Sequence, residues 1–225
     1  MRKLKHFFLL LVVLIAAFAV YVEIDNRNSK NMTYRQKVLK TIYPLVMLWG
    51  KISGKGVTAL SNQSKEAPVS FYTLKAKLNN GDTLDFASLQ GKKVMLVNTA
   101  SDCGYTNQYD QLQELSEQYK DKLVVLGFPA NDFKEEEKGS DQEIAAFCKI
   151  NYGVSFPLMS KSTVIRSDQQ HPVYQWLTDS SKNGWNKKQP GWNFCKYIVD
   201  EKGRLIHYFG SSISPLSKDV VKAIE

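Results

Sequence analysis

The sequence predicts an α/β domain, a mixed central sheet flanked by helices, with a transmembrane helix ahead of it. Two short apolar runs, residues 94–98 and 123–128, have the length of buried strands and enclose a stretch with helical spacing, the pattern of a βαβ unit with parallel strands. Residues 196–199 and 205–209 flank a turn at 200–203, adding an antiparallel hairpin that makes the sheet mixed. An uninterrupted apolar run at residues 7–22 stands apart from both. With 225 residues, 43% of them hydrophobic, the chain has material for one full core and an appendage.

At the N-terminus, Arg2, Lys3 and Lys5 lead into the apolar run, which ends at Glu23 and Asp25. As a helix the run is about 24 Å long, short of a hydrocarbon core of roughly 30 Å unless snorkelling or thinning closes the gap. Ala17-Phe18-Ala19 offers the cleavage site of a secretory signal peptide, whereas Tyr21, Val22 and Ile24 carry apolar character past it and favour an uncleaved anchor. Residues 1–25 therefore read as a signal anchor or signal peptide. In both cases the basic start stays cytoplasmic and the domain lies on the extracytoplasmic side, periplasmic in a bacterium, either membrane-anchored or released by cleavage.

Residues 26–69 read as a linker. Its apolar patch at 38–52 is too short to span, is broken by Lys40, Pro44 and Lys51, and suits either an interfacial helix or a helix packed on the anchor or the domain. Gly54, Gly56, Ser61, Asn62 and Ser64 extend the linker composition, which places the domain at residues 70–225. Within it, 71–78 and 83–86 flank Asn79-Asn80-Gly81-Asp82, a hairpin signal. Tyr109, Leu112, Leu115 and Tyr119 repeat at helical spacing. Ser140-Asp141-Gln142-Glu143 has capping-box spacing and precedes an apolar helical face of Ile144, Phe147, Cys148 and Ile150.

Charge narrows the function classes. Residues 1–65 carry eleven Lys/Arg against two Asp/Glu, and residues 66–225 carry nineteen against twenty. A near-neutral domain argues against nucleic acid as a partner, and the basic segment suits anionic lipid head groups. Three cysteines without CxxC spacing make neither a disulfide scaffold nor a thiolate zinc site. His6, His171 and His207 stand far apart, so no metal or cofactor is expected.

Cys103 is the candidate for chemistry. It follows the strand at 94–98 in the polar turn Ser101-Asp102-Cys103-Gly104, just before a helix expected to start near Thr106 or Asn107. Sites form at that edge of an open α/β sheet, and helix N-terminal amides favour the thiolate, the attacking species. Asp102 works against this, since a neighbouring carboxylate opposes thiolate formation.

The run from Val97 through Thr106, Val97-Asn98-Thr99-Ala100-Ser101-Asp102-Cys103-Gly104-Tyr105-Thr106, resembles the glutathione peroxidase signature around its peroxidatic cysteine or selenocysteine. Leu126-Gly127-Phe128-Pro129-Ala130-Asn131-Asp132-Phe133 resembles that family's second motif, and Trp192-Asn193-Phe194 its third. The resemblance implies a thioredoxin-like fold and reduction of a hydroperoxide substrate by Cys103, with Trp192 and Asn193 donating hydrogen bonds around the sulfur. It also implies that Cys148 resolves the oxidised Cys103 through a disulfide, and that a thioredoxin-like protein or glutathione is the reductant. Cys195 is expected to pack in its strand.

Two departures stand out: Asp132 and Glu136 replace glutamines, and Glu136 falls on the catalytic Gln position. A carboxylate there is protonated, or takes the thiol proton, or turns outward into the charged run Glu135-Glu136-Glu137. A peroxide-sensing thiol protein that passes its disulfide to a partner shares the first step with an enzyme. A disulfide reductase of CxxC or CxxxC type is disfavoured, because Thr106 and Asn107 occupy the positions of its second cysteine.

Overall fold

A computed structural model describes residues 2–62 and 64–225; Met1 and Gln63, within the segments read as 1–25 and 26–69, lie outside the described residues. The apolar run forms helix α1 (Arg2–Asp25), whose side chains from Lys3 onward are almost all exposed apart from Val22. Its segment Lys3–Asp25 is long and apolar enough to cross a membrane.

Where the sequence reads as linker, the chain is folded. Helices α2 (Tyr34–Thr41) and α3 (Tyr43–Ser53) follow α1, and a three-residue strand, β1 (Ala59–Ser61), then joins the central sheet. The sheet therefore begins ahead of residue 70. Three local features account for this. Thr33 and Gln36 form a reciprocal capping box that starts α2. Pro44 sits in the first turn of α3, where a missing N–H leaves no bond unmade, so it starts a helix instead of breaking one. Gly54, at φ 69°, ends α3 in the left-handed region.

The next segment also differs from the reading as one long strand. Ser70 accepts from the Tyr72 amide and winds Phe71–Thr73 into a 3-10 turn, leaving β2 (Lys75–Lys77) and β3 (Thr83–Asp85) as a separate two-stranded hairpin. Phe71 anchors that hairpin region, its ring 5.0 Å from Phe86 and 5.2 Å from Trp176. Burying such a ring contributes roughly 1.5–3 kcal/mol.

The rest runs β4 (Lys93–Thr99), α4 (Gln108–Gln118), β5 (Leu123–Pro129), α5 (Asp141–Tyr152), α6 (Pro172–Thr178), α7 (Ser180–Asn183), β6 (Lys196–Val199), β7 (Leu205–Phe209) and α8 (Lys218–Ile224). The order across the sheet is β1-β7-β6-β4-β5, with β4 and β5 parallel and the remaining pairs antiparallel. Strand side chains alternate between faces, so β4 divides the core. Met95 and Val97 pack with Tyr109, Leu112, Cys148 and Ile224 on one face. Val94 and Leu96 pack with Phe71, Tyr174, Trp176 and Tyr208 on the other. Because β4 is buried on both sides, its carboxyl end is held firmly, and Cys103 lies four residues beyond it.

Candidate active site

The turn after β4 is built by its own polar side chains. The Cys103 amide donates to Thr106 Oγ1 at 3.0 Å, the Thr106 hydroxyl donates to the Ala100 carbonyl at 2.8 Å, and the Thr106 amide donates to the Cys103 carbonyl at 3.1 Å. These bonds tie the turn to the start of α4, whose N-cap is Asn107. The Tyr105 amide then points at Cys103 Sγ from 3.4 Å. Cys103 is only 1% exposed.

Glu136 is drawn into the same place. Its carbonyl accepts from the Asp102 amide at 3.0 Å, and its Oε2 accepts from Asn193 Nδ2 at 3.0 Å. The residue is buried, so the outward alternative does not hold. Burial pushes the Cys103 thiol up, and the Glu136 carboxylate pushes it further; the Tyr105 amide and the Trp192 side chain act in the opposite sense by favouring the thiolate. The sequence expectation that Asn193 donates toward the sulfur is modified, because the amide of Asn193 is engaged by Glu136.

Trp192 and Asn193 owe their position to a residue that sequence reasoning passed over. Asn98, buried in β4, donates from Nδ2 to the Trp192 carbonyl at 3.0 Å and accepts the Cys195 amide on Oδ1 at 3.0 Å. Its own carbonyl accepts the Phe194 amide at 2.6 Å, and Phe194 sits at φ 64°, in the left-handed region. One asparagine side chain thus fastens the Trp192–Cys195 loop to the strand that carries Cys103. A buried asparagine closing a run of Val, Met and Leu was the available signal, since such a polar group requires partners.

Glu137 was also missed. It is 1% exposed, accepts from Ser101 Oγ at 3.0 Å, and has its carboxyl pushed up to about 7 chiefly by burial. Cys148 lies on α5 inside the apolar cluster that contains Cys103, and the two thiols are not bonded to each other. Burial pushes Cys148 up to about 12, with a bond from the Tyr109 side chain acting against that. Cys195 is buried beside β6, accepting from the Tyr208 hydroxyl at 3.4 Å. The structure therefore gathers Cys103, Glu136, Trp192 and Asn193 at one sheet edge, with Cys148 in the apolar cluster that also contains Cys103.

Residues 71–178 match the family model for glutathione peroxidase. The glutathione peroxidase-like peroxiredoxin 2 of Saccharomyces cerevisiae is 44% identical over 151 residues, which are 67% of this chain and 93% of that protein. The chain belongs to the glutathione peroxidase family. The glutathione peroxidase homolog BsaA of Bacillus subtilis is 39% identical over 160 residues, 70% of this chain and 99% of its own. Among solved structures, one described as Trgpx in apo form superposes with a TM-score of 0.53 at 31% identity, covering 69% of this chain and 95% of that one. A DsbF homologue from Corynebacterium diphtheriae superposes at 0.54 with 20% identity, covering 76% and 93%, a likeness of fold alone. The fold is thioredoxin-like and the enzyme is a thiol peroxidase. About a third of the chain lies outside the alignments with the yeast and Bacillus relatives.

Glu136→Gln removes the carboxylate that opposes the Cys103 thiolate. The thiol pKa should fall, and the single-turnover reaction with hydrogen peroxide near pH 7 should quicken by about three- to tenfold. Rapid-mixing rates across the pH range check this: superimposable profiles would exclude an electrostatic effect of Glu136 on the sulfur, and a slower mutant would make Glu136 the base that receives the thiol proton.

Proposed function

We propose that this protein is a membrane-tethered peroxidase that reduces hydrogen peroxide or organic hydroperoxides through Cys103, protecting the compartment it faces from oxidative stress. The observation that supports this best is the Cys103 sulfur receiving the Tyr105 amide at 3.4 Å at the sheet edge, with Trp192 also favouring its thiolate. The thiolate attacks one peroxide oxygen; the O–O bond breaks as the S–O bond forms, giving a sulfenic acid, and the departing oxygen takes a proton to leave as water or alcohol. Trp192, whose side chain favours the thiolate, steadies the charge on sulfur and on that oxygen. Asn193 positions Glu136, whose carboxylate opposes the Cys103 thiolate.

In the second half of the cycle Cys148 attacks the Cys103 sulfur, an S–S bond forms and water leaves. Cys148 starts buried on α5, so it needs the last turns of that helix to open; they end at Gly153, at φ 62°, a break that limits the opening to a short segment. A thioredoxin-like protein or glutathione then returns two electrons. Repeated turnover marks an enzyme, whereas one oxidation followed by transfer of the disulfide marks a sensor.

The tether is α1. Beyond it, residues 26–65 contain eight Lys/Arg and no Asp/Glu, and α3 exposes Leu45, Leu48, Trp49 and Ile52 along one side. An apolar stripe amid cations suits a membrane surface with anionic head groups. The leading Arg2, Lys3 and Lys5 favour an extracytoplasmic domain, and the cations between 27 and 40 pull the other way.

Cys103→Ser should abolish peroxide reduction in the presence of a dithiol reductant, because a serine hydroxyl neither ionises near neutral pH nor forms a sulfenic acid. Retained turnover would overturn the enzyme reading. The full chain should sediment with membranes, and an added protease should reach the domain from the extracytoplasmic face. A soluble product starting near Val20 would show a cleaved signal peptide, and protection from the protease would reverse the orientation.

A further inference from the structure

We propose that Arg35, on the juxtamembrane helix α2, is a positioning residue of the peroxidatic site: its guanidinium holds the Asp102 and Glu136 carboxylates and supplies the positive charge they need beside Cys103. The inference rests on Cys103 being the reacting thiol. It adds a component from outside the region that matches the family, residues 71–178.

The geometry is specific. Arg35 Nη1 pairs with Asp102 Oδ2, and Nη2 lies 3.8 Å from Glu136 Oε1. The Asp102 carboxylate adjoins Cys103 in sequence, and Glu136 is the carboxylate that pushes the thiol up. A single cation therefore bridges the carboxylate that opposes the thiolate, Glu136, and the one next to Cys103 in the chain, Asp102. The other oxygen of Glu136 is held by Asn193, so the carboxylate is pinned between an amide on one side and a guanidinium on the other. With its side chain 8% exposed, Glu136 is poorly solvated and depends on such partners.

Several contacts fix α2 over this spot independently of the ion pairs. Gln36 Nε2 donates to the Ser101 carbonyl at 3.1 Å, the Lys30 amide donates to Asn151 Oδ1 at 3.0 Å, and Met32 packs against the apolar cluster around Cys103. Lys40 Nζ stands 5.2 Å above the Tyr152 ring. Together they make α2 and its N-terminal turn one wall of a groove of about 610 Å³, whose other walls include Asp102, Glu136 and, on α5, Phe147.

The charge balance around the sulfur follows from every neighbouring element. Its own turn contributes Asp102, and the loop after β5 contributes Glu136 and Glu137, with Lys134 5.5 Å above the Trp192 ring. Tyr109 and Cys148, in the same apolar cluster as Cys103, are both buried. Arg35 is the cation that the structure pairs with Asp102 and Glu136. Its side chain is 56% exposed, so water and salt screen it, and a moderate effect is the right scale.

The test uses the full chain in detergent or vesicles, with Arg35→Gln, Arg35→Lys, Glu136→Gln and the Arg35→Gln/Glu136→Gln pair. The Cys103 pKa is read from the pH dependence of its alkylation, alongside single-turnover peroxide rates and thermal midpoints. Arg35→Gln should raise the pKa by about one unit and slow the peroxide step about tenfold near pH 7, with the thermal midpoint little changed. Arg35→Lys should recover most of the loss, and in the Glu136→Gln background the effect of Arg35→Gln should shrink to about threefold or less. An unchanged pKa in Arg35→Gln, or an equal loss with and without Glu136, would overturn the proposal. If the wild type fails to reduce peroxide while Arg35→Gln still raises the pKa, the positioning role stands and the peroxidase reading falls.

Discussion

The Cys103 thiol is buried, while the proposed chemistry needs it ionised, and the structure around it bears on that conflict. Desolvation favours the neutral thiol, and the Glu136 carboxylate deepens the effect. What acts in the other direction is a small set of donors and one cation aimed at the sulfur or at that carboxylate. Each must be placed within hydrogen-bond reach and kept from relaxing away, because an amide or indole N–H a further ångström off contributes little. The demand for rigidity explains why the turn is closed by Thr106, and why it springs from a strand buried on both faces.

The same demand explains Asn98. A polar side chain in the middle of an apolar sheet is costly unless every donor and acceptor is used. Here both ends of the amide are spent on the Trp192–Cys195 loop, and the backbone carbonyl takes the Phe194 amide as well. The result couples two segments far apart in sequence to one strand end. The N-terminal helices add a third segment to this assembly. They tie α2 to the site through Arg35 and Gln36, so the approach to Glu136 is shaped by a region outside the matched family domain.

Much of this was legible in the sequence. The β4 and β5 strands, the capping box that starts α5 and the closing hairpin came from periodicity and local turn chemistry, which depend on near neighbours alone. Cys103, Glu136, Trp192 and Asn193 came from motif and position. What escaped has physical reasons. Strand β1 is three exposed residues whose only signature is the edge it pairs with, and helices α6, α7 and α8 are seven residues or shorter, too brief for a period to show. Glu137 escaped because charge runs are usually solvated, and only its tertiary contact with Ser101 turns it inward; of the alternatives for Glu136, the contacts of Asn193 and Asp102 exclude the outward one. Arg35 could not be assigned, since nothing local links residue 35 to residues 102 and 136.

The account stands on Cys103 being the atom that meets the peroxide and Cys148 the one that relieves it. Equimolar hydrogen peroxide added to the fully reduced protein, followed by acid quench and mass mapping of the cysteines, examines both at once. The account predicts a single new Cys103–Cys148 disulfide with Cys195 still reduced. Oxidation at Cys195, or a Cys103 left as free thiol while peroxide is consumed, would contradict it.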